Sequence, residues 1–119
     1  MTLLSQVLVT LVALEFLYIM YIETFATESA TTSRVFNMPK EELRRQSVQT
    51  LFKNQGIYNG LLGVALVYGA YFSNAPKEIT GLLLIYILLV AAYGSLTSDR
   101  LIIVKQGGLA AIALITLFF

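Results

Sequence analysis

The chain contains no cysteine, no histidine and no tryptophan. Without cysteine there is no disulfide framework and no thiolate chemistry. Without histidine the commonest general base and the commonest metal ligand are both missing. Neither a metal nor a cofactor is expected. Proline occurs twice, and charged residues make up only 13% of the 119 positions, against about 25% in soluble domains. A formal net charge of +1 gives no footprint for nucleic-acid binding.

What is present is apolar. Hydrophobic residues are 57% of the chain and the mean hydropathy is +0.76. A free globule of this composition would not stay in solution, so an integral membrane protein with the lipid bilayer as partner is expected. A spanning helix needs about 20 mostly apolar residues. Stretches 3–22, 55–72, 79–96 and 101–119 meet this pattern. The predicted fold is therefore all-α: a four-transmembrane-helix bundle, one domain over 1–119. The first stretch is read as a retained helix, because no Lys or Arg precedes Arg34 and no A-x-A cleavage site follows Ile22.

The connections after the second and third stretches are short, which makes those neighbours antiparallel. The link at 23–54 is long and holds most of the charge. Its Thr- and Ser-rich part, 24–33, reads as irregular. Pro39 then suits a first helical turn, with Glu41 and Glu42 complementing the dipole. That helix continues through Leu43, Val48, Leu51 and Phe52, either solvated or lying on anionic headgroups. Arg34, Lys40, Arg44, Arg45, Lys53 and Arg100 fall on one side, and Lys77 alone with the N-terminal amine on the other. The positive-inside rule places the link in the cytoplasm and both termini outside, in a bacterial inner membrane.

Polar residues inside apolar stretches are informative because lipid cannot satisfy them. Glu15 stands in the middle of the first stretch, where a charge costs roughly 2.5–3.5 kcal/mol on insertion scales. Tyr18 shares its helical face, and Glu23 follows at the cytoplasmic end. Gln55 and Asn59 lie four apart on one face of the second stretch, with Asn54 and Tyr58 beside them. Tyr93 lies near the end of the third stretch, and Lys105 and Gln106 enter the fourth. Alternation of the spans brings all of these to the inner half, and the outer halves read as nearly pure Leu, Ile, Val, Ala and Gly. Glu15, Tyr18, Glu23, Gln55, Tyr58, Asn59, Tyr93 and Gln106 are the candidate ligand-binding residues. Glu15 is expected to bond to amides and phenols, with Lys105 either pairing with it or snorkelling to the interface. Gly56 and Gly60 form a small-xxx-small pair for close helix packing, within the bundle or across a homodimer. The strings Asn54-Gln55-Gly56 and Lys105-Gln106-Gly107 form a faint internal echo.

The runs Val12-Ala13-Leu14-Glu15-Phe16-Leu17-Tyr18-Ile19, Asn54-Gln55-Gly56-Ile57-Tyr58-Asn59-Gly60, Ala92-Tyr93-Gly94 and Gln106-Gly107 together resemble a bacterial family of small membrane proteins. It is catalogued as a domain of unknown function, thirteen-oh-four. The resemblance covers essentially the whole chain, and the Asn-Gln-Gly-x-Tyr-Asn-Gly string is its most specific part. It implies four spans and a shared polar cluster, an aliphatic or aromatic residue where Lys105 stands, and no known activity.

Three functional readings follow. The first is a membrane protein that binds or transports a small molecule or lipid in an inner-leaflet pocket around Glu15. Proton-coupled export is its specific form, by analogy with small multidrug transporters. However, the long link and the lack of tryptophan depart from them. The second is a structural or accessory subunit whose polar cluster only fixes packing. The third, an intramembrane lipid-modifying enzyme, is disfavoured by the missing histidine and cysteine.

Overall fold

The computed structural model describes residues 1–97 and 102–119, and the side chains of all of these except 102, 103 and 105. Arg100 and the Lys105 side chain lie outside the described residues. Every regular element among the described residues is helical. In order these are α1 (Leu3–Met20), a π-helical turn (Tyr21–Phe25), α2 (Ala30–Phe36), α3 (Lys40–Leu43), α4 (Gln46–Tyr71), α5 (Pro76–Thr97) and α6 (Ile102–Thr116).

Two of these have both the length and the apolarity to cross a bilayer. They are α1 with its π turn, Leu3–Phe25, and α5. Helix α4 is long enough at 26 residues, but its first 14 residues carry Gln46, Gln49, Asn54, Gln55 and Asn59. Helix α6 has 15 residues, about 22 Å at 1.5 Å per residue, short of a hydrocarbon core of about 30 Å.

The link differs from the irregular-then-helical reading. The stretch around Ser29 is ordered by caps. The Ser29 hydroxyl accepts the Thr32 N–H at 3.1 Å and opens α2. Asn37 closes that helix in the left-handed region (φ 53°). Its N–H reaches Arg34 O, and the Met38 N–H reaches Ser33 O at 3.0 Å, which is a Schellman ending. Pro39 stands just outside α3 rather than inside its first turn. The helix it starts stops at Leu43. A new helix begins at Gln46 and runs unbroken through position 55, so the predicted boundary between link and second stretch has no structural counterpart. Phe36 and Phe52 meet edge to face at 5.1 Å.

The chain falls into two compact units: residues 1–14 with 64–119, and residues 15–63. In the first, α5 and α6 pack against each other, with Ala91, Ala110 and Ala113 fully buried. Small side chains allow that close approach. Gly69 is another close point, since a Cβ there would stand 2.8 Å from Ile79. The end of α1 near its N-terminus is more polar than expected. Buried Ser5 donates toward Thr116 O and Oγ1 at 3.0 and 2.9 Å, and Thr2 bonds Ser5 at 3.1 Å. Gln6 donates to Ala70 O at 3.4 Å, and the Thr10 and Tyr71 hydroxyls meet at 2.6 Å. Hydroxyls thus tie α1 to α4 and α6 where only aliphatic contacts were expected. In the second unit, Phe16, Ile19, Ile22 and Leu43 form the apolar core, with Glu23, Thr27 and Thr32 buried among its elements.

A net hydrogen bond contributes about 1 kcal/mol, and an orphaned buried partner costs about 1–3. Ser5→Ala should therefore lower stability by about 1–2 kcal/mol. Denaturant unfolding of Ser5→Ala, Thr116→Ala and the double variant checks it. Strictly additive losses would show that the two hydroxyls are not coupled.

Candidate functional site

The backbone at the end of α1 changes its hydrogen-bond step. The Ala26 N–H bonds to Tyr21 O, five residues back, at 3.0 Å. A π turn of this kind is rare and occurs often at functional sites. Glu23 sits inside it and is 0% exposed.

Helix α4 brings two amides to this carboxylate. Asn59 Nδ2 donates to Oε1 at 2.6 Å, and Gln55 Nε2 donates to Oε2 at 2.5 Å. The four-residue spacing puts both amides on one face of α4. Gly56, between them in sequence, permits the approach: a Cβ there would run into Thr24 Oγ1 and lie 3.1 Å from Glu23 Cβ. Gly60 does the same against Met20. These two glycines therefore pack on the chain's own first helix and its π turn. Of the two expected roles, packing within the bundle or across a homodimer, these contacts are of the first kind.

The π turn also leaves carbonyls to be satisfied, and threonines do this. Thr27 Oγ1 donates to Glu23 O at 2.6 Å. Thr32 Oγ1 lies 2.9 Å from Ile22 O and 2.7 Å from Ala26 O. No cation stands within ion-pair distance of Glu23 among the described residues; the ion pairs found there are Arg44–Glu28 and Arg45–Glu42.

Beside the turn lies an open, polar cavity of about 250 Å³. It is lined by Thr24, Phe25, Ala26, Thr27, Glu28 and Ser29 from the turn and the residues after it, and by Gln49 and Lys53 from α4. Gln49 donates to Glu28 at 2.7 Å, and Arg44 stands 3.4 Å from the same carboxylate. Both partners of that ion pair are exposed, so it adds little to stability.

Of the eight candidate residues, the structure unites three: Glu23, Gln55 and Asn59. Glu15 does not share their amides. Its Oε1 is shielded from solvent and has no hydrogen-bond partner. Tyr18 and Tyr58 are 50% and 69% exposed and make none of the hydrogen bonds to Glu23. Tyr93, 69% exposed, and half-buried Gln106 belong to the other unit. Sequence reasoning misses Thr24, Thr27, Glu28, Ser29, Thr32, Gln49 and Lys53 as site residues. For the four hydroxyl residues the signal is the density of hydroxyls in 24–33, a composition that also suits a loop.

Comparison with known proteins gives a family without an activity. The family model described as "Protein of unknown function (DUF1304)" matches residues 10–118. An "Uncharacterized protein YpaA" from Lactococcus lactis subsp. lactis (strain IL1403) is 70% identical over 119 residues, covering all of both chains. No solved structure matches.

Hydrogen bonds to a charged group are worth about 1.5–3 kcal/mol. Asn59→Ala should cost about that much stability, and Gly56→Val at least as much through its clash with Thr24. Thermal unfolding of both variants checks it. A stable Gly56→Val protein would show that the close approach is not needed.

Proposed function

We propose that this chain, which belongs to the DUF1304 family, is a small four-span membrane protein that binds a small polar molecule or lipid headgroup in its cytoplasmic half, at the Glu23 turn. The observation that carries this reading is the fully buried Glu23 carboxylate, clamped by Gln55 and Asn59 in a π turn that forms one wall of a polar cavity. Ionisable side chains within apolar spans are expensive and mark ligand or ion sites. Cavities with convergent polar groups are where ligands bind. The site moves from Glu15 to Glu23, because the amides that Glu15 needs are committed elsewhere.

Helix α1 with its π turn and α5 support two crossings by length and apolarity. The apolar second half of α4, and α6 with the Leu-Phe-Phe that follows it, would supply the other two. The Lys and Arg bias of 34–53 favours a cytoplasmic link and external termini. The absence of native cysteine makes the test direct. Single cysteines at Ser47 and Ser73 in intact cells should differ, with an impermeant maleimide labelling Ser73→Cys and sparing Ser47→Cys. Equal labelling would sink the topology.

A second reading has its own support. Glu23 is satisfied entirely within the chain, as a purely structural clamp would be. Native mass spectrometry of protein purified from its own membrane separates the two. The binding reading predicts a retained small molecule or lipid that is lost in Lys53→Met and Gln49→Ala proteins of unchanged fold. A wild type that retains nothing leaves the structural reading.

A further inference from the structure

Hydrogen-bond accounting around the cavity defines what it accepts. A hydroxyl has one proton and two lone pairs. Thr24 Oγ1 commits its proton to Lys53 O at 3.0 Å, and Thr27 Oγ1 to Glu23 O at 2.6 Å. Ser29 Oγ accepts the Thr32 N–H and lies 2.9 Å from Thr32 Oγ1. The Thr32 proton points to the carbonyls of Ile22 and Ala26, so the Ser29 proton is directed to Thr32. All three lining hydroxyls therefore offer the cavity only lone pairs. Gln49 gives one Nε2 hydrogen to Glu28 and keeps its Oε1 and a second N–H, and the Glu28 carboxylate, which also pairs with exposed Arg44 at 3.4 Å, accepts only. The one charged donor on the wall is Lys53, whose ammonium has no ion-pair partner among the described residues.

An acceptor-rich wall with one carboxylate and one free ammonium fits a ligand with the opposite arrangement. We infer that the cavity binds a small zwitterion carrying a primary ammonium and an anionic oxygen group, with phosphoethanolamine as its simplest representative. The ammonium's three N–H donors face Glu28, Gln49 and the hydroxyls of Thr24, Thr27 and Ser29. The anionic oxygens face Lys53. A quaternary ammonium has no N–H to give and relies on aromatic faces. The lining holds a single aromatic, Phe25, which is 69% exposed. The volume of about 250 Å³ lies just under the range of about 300–1,000 Å³ for drug-sized ligands, which suits a headgroup-sized molecule. The inference rests on the reading that this site binds a small polar ligand, and it names the class.

The test is isothermal titration of the whole protein in phosphatidylglycerol nanodiscs with phosphoethanolamine and with phosphocholine. Phosphoethanolamine should bind on the order of tenfold tighter. Glu28→Gln should abolish that preference, and Lys53→Met should weaken phosphoethanolamine toward the level of ethanolamine alone. Circular dichroism establishes that each variant is folded. Equal affinity for the two compounds overturns the inference, as do Glu28→Gln and Lys53→Met proteins that both bind like the wild type. Adding phosphatidylethanolamine to the nanodiscs separates the sources. Competition with the free compound marks a lipid headgroup, and no competition marks a soluble zwitterion. A wild type that retains a native ligand which phosphoethanolamine cannot displace overturns the ligand class alone. A wild type that neither retains nor binds anything overturns the binding reading as well.

Discussion

The contact on which residues 15–63 depend is the pair of amide bonds to Glu23. Burying a carboxylate without partners costs several kcal/mol, and no lysine or arginine stands beside this one among the described residues. Its two oxygens are satisfied by Asn59 and Gln55. That requirement dictates the neighbourhood. The amides must sit one turn apart on one face of α4. The residue between them on that face must be small, and it is Gly56. The π turn changes the helix phase at Tyr21–Phe25 and turns Glu23 into the interior. It releases carbonyls that Thr27 and Thr32 then cover. Removing either amide leaves a Glu23 oxygen without its partner, and removing either threonine hydroxyl does the same to a carbonyl of the turn.

Much of this was legible as separate parts. Gln55 and Asn59 at helical spacing, the small residues between and beyond them, the turn before Pro76 and the helical class all follow from periodicity and composition. The apolar runs, however, give no phase information. Every face of an apolar helix looks alike, so nothing decided between the Gln55/Asn59 face and the Asn54/Tyr58 face one position around. Depth in the apolar run made Glu15 the leading residue, but depth measures cost and says nothing about where the donors are. No sign of the π turn is read in the sequence; in the structure it coincides with the contact with α4. The caps at Ser29 and Asn37 were readable in principle and were masked by a hydroxyl-rich composition that also suits a loop.

Helix α1 with its π turn carries a polar tie near each end. Ser5 bonds α6 in one unit, and Glu23 bonds α4 in the other. Aliphatic packing is non-directional, and helices of Leu, Val and Ala can slide or rotate at small cost. A hydrogen bond with defined distance and angle removes that freedom. The two ties differ in kind. The Ser5 tie is neutral and costs little to bury. The Glu23 tie involves an ionisable group, and register alone could have been fixed by a serine or an asparagine.

That excess is the physical argument for a role beyond packing. The Glu23 oxygens are satisfied by two amides, with no lysine or arginine in ion-pair distance among the described residues. The cavity bordered by Thr24 and Thr27 adjoins this turn, and its walls present lone pairs. A purely structural clamp does not need a cavity lined with acceptors beside it, whereas the proposed ammonium ligand does.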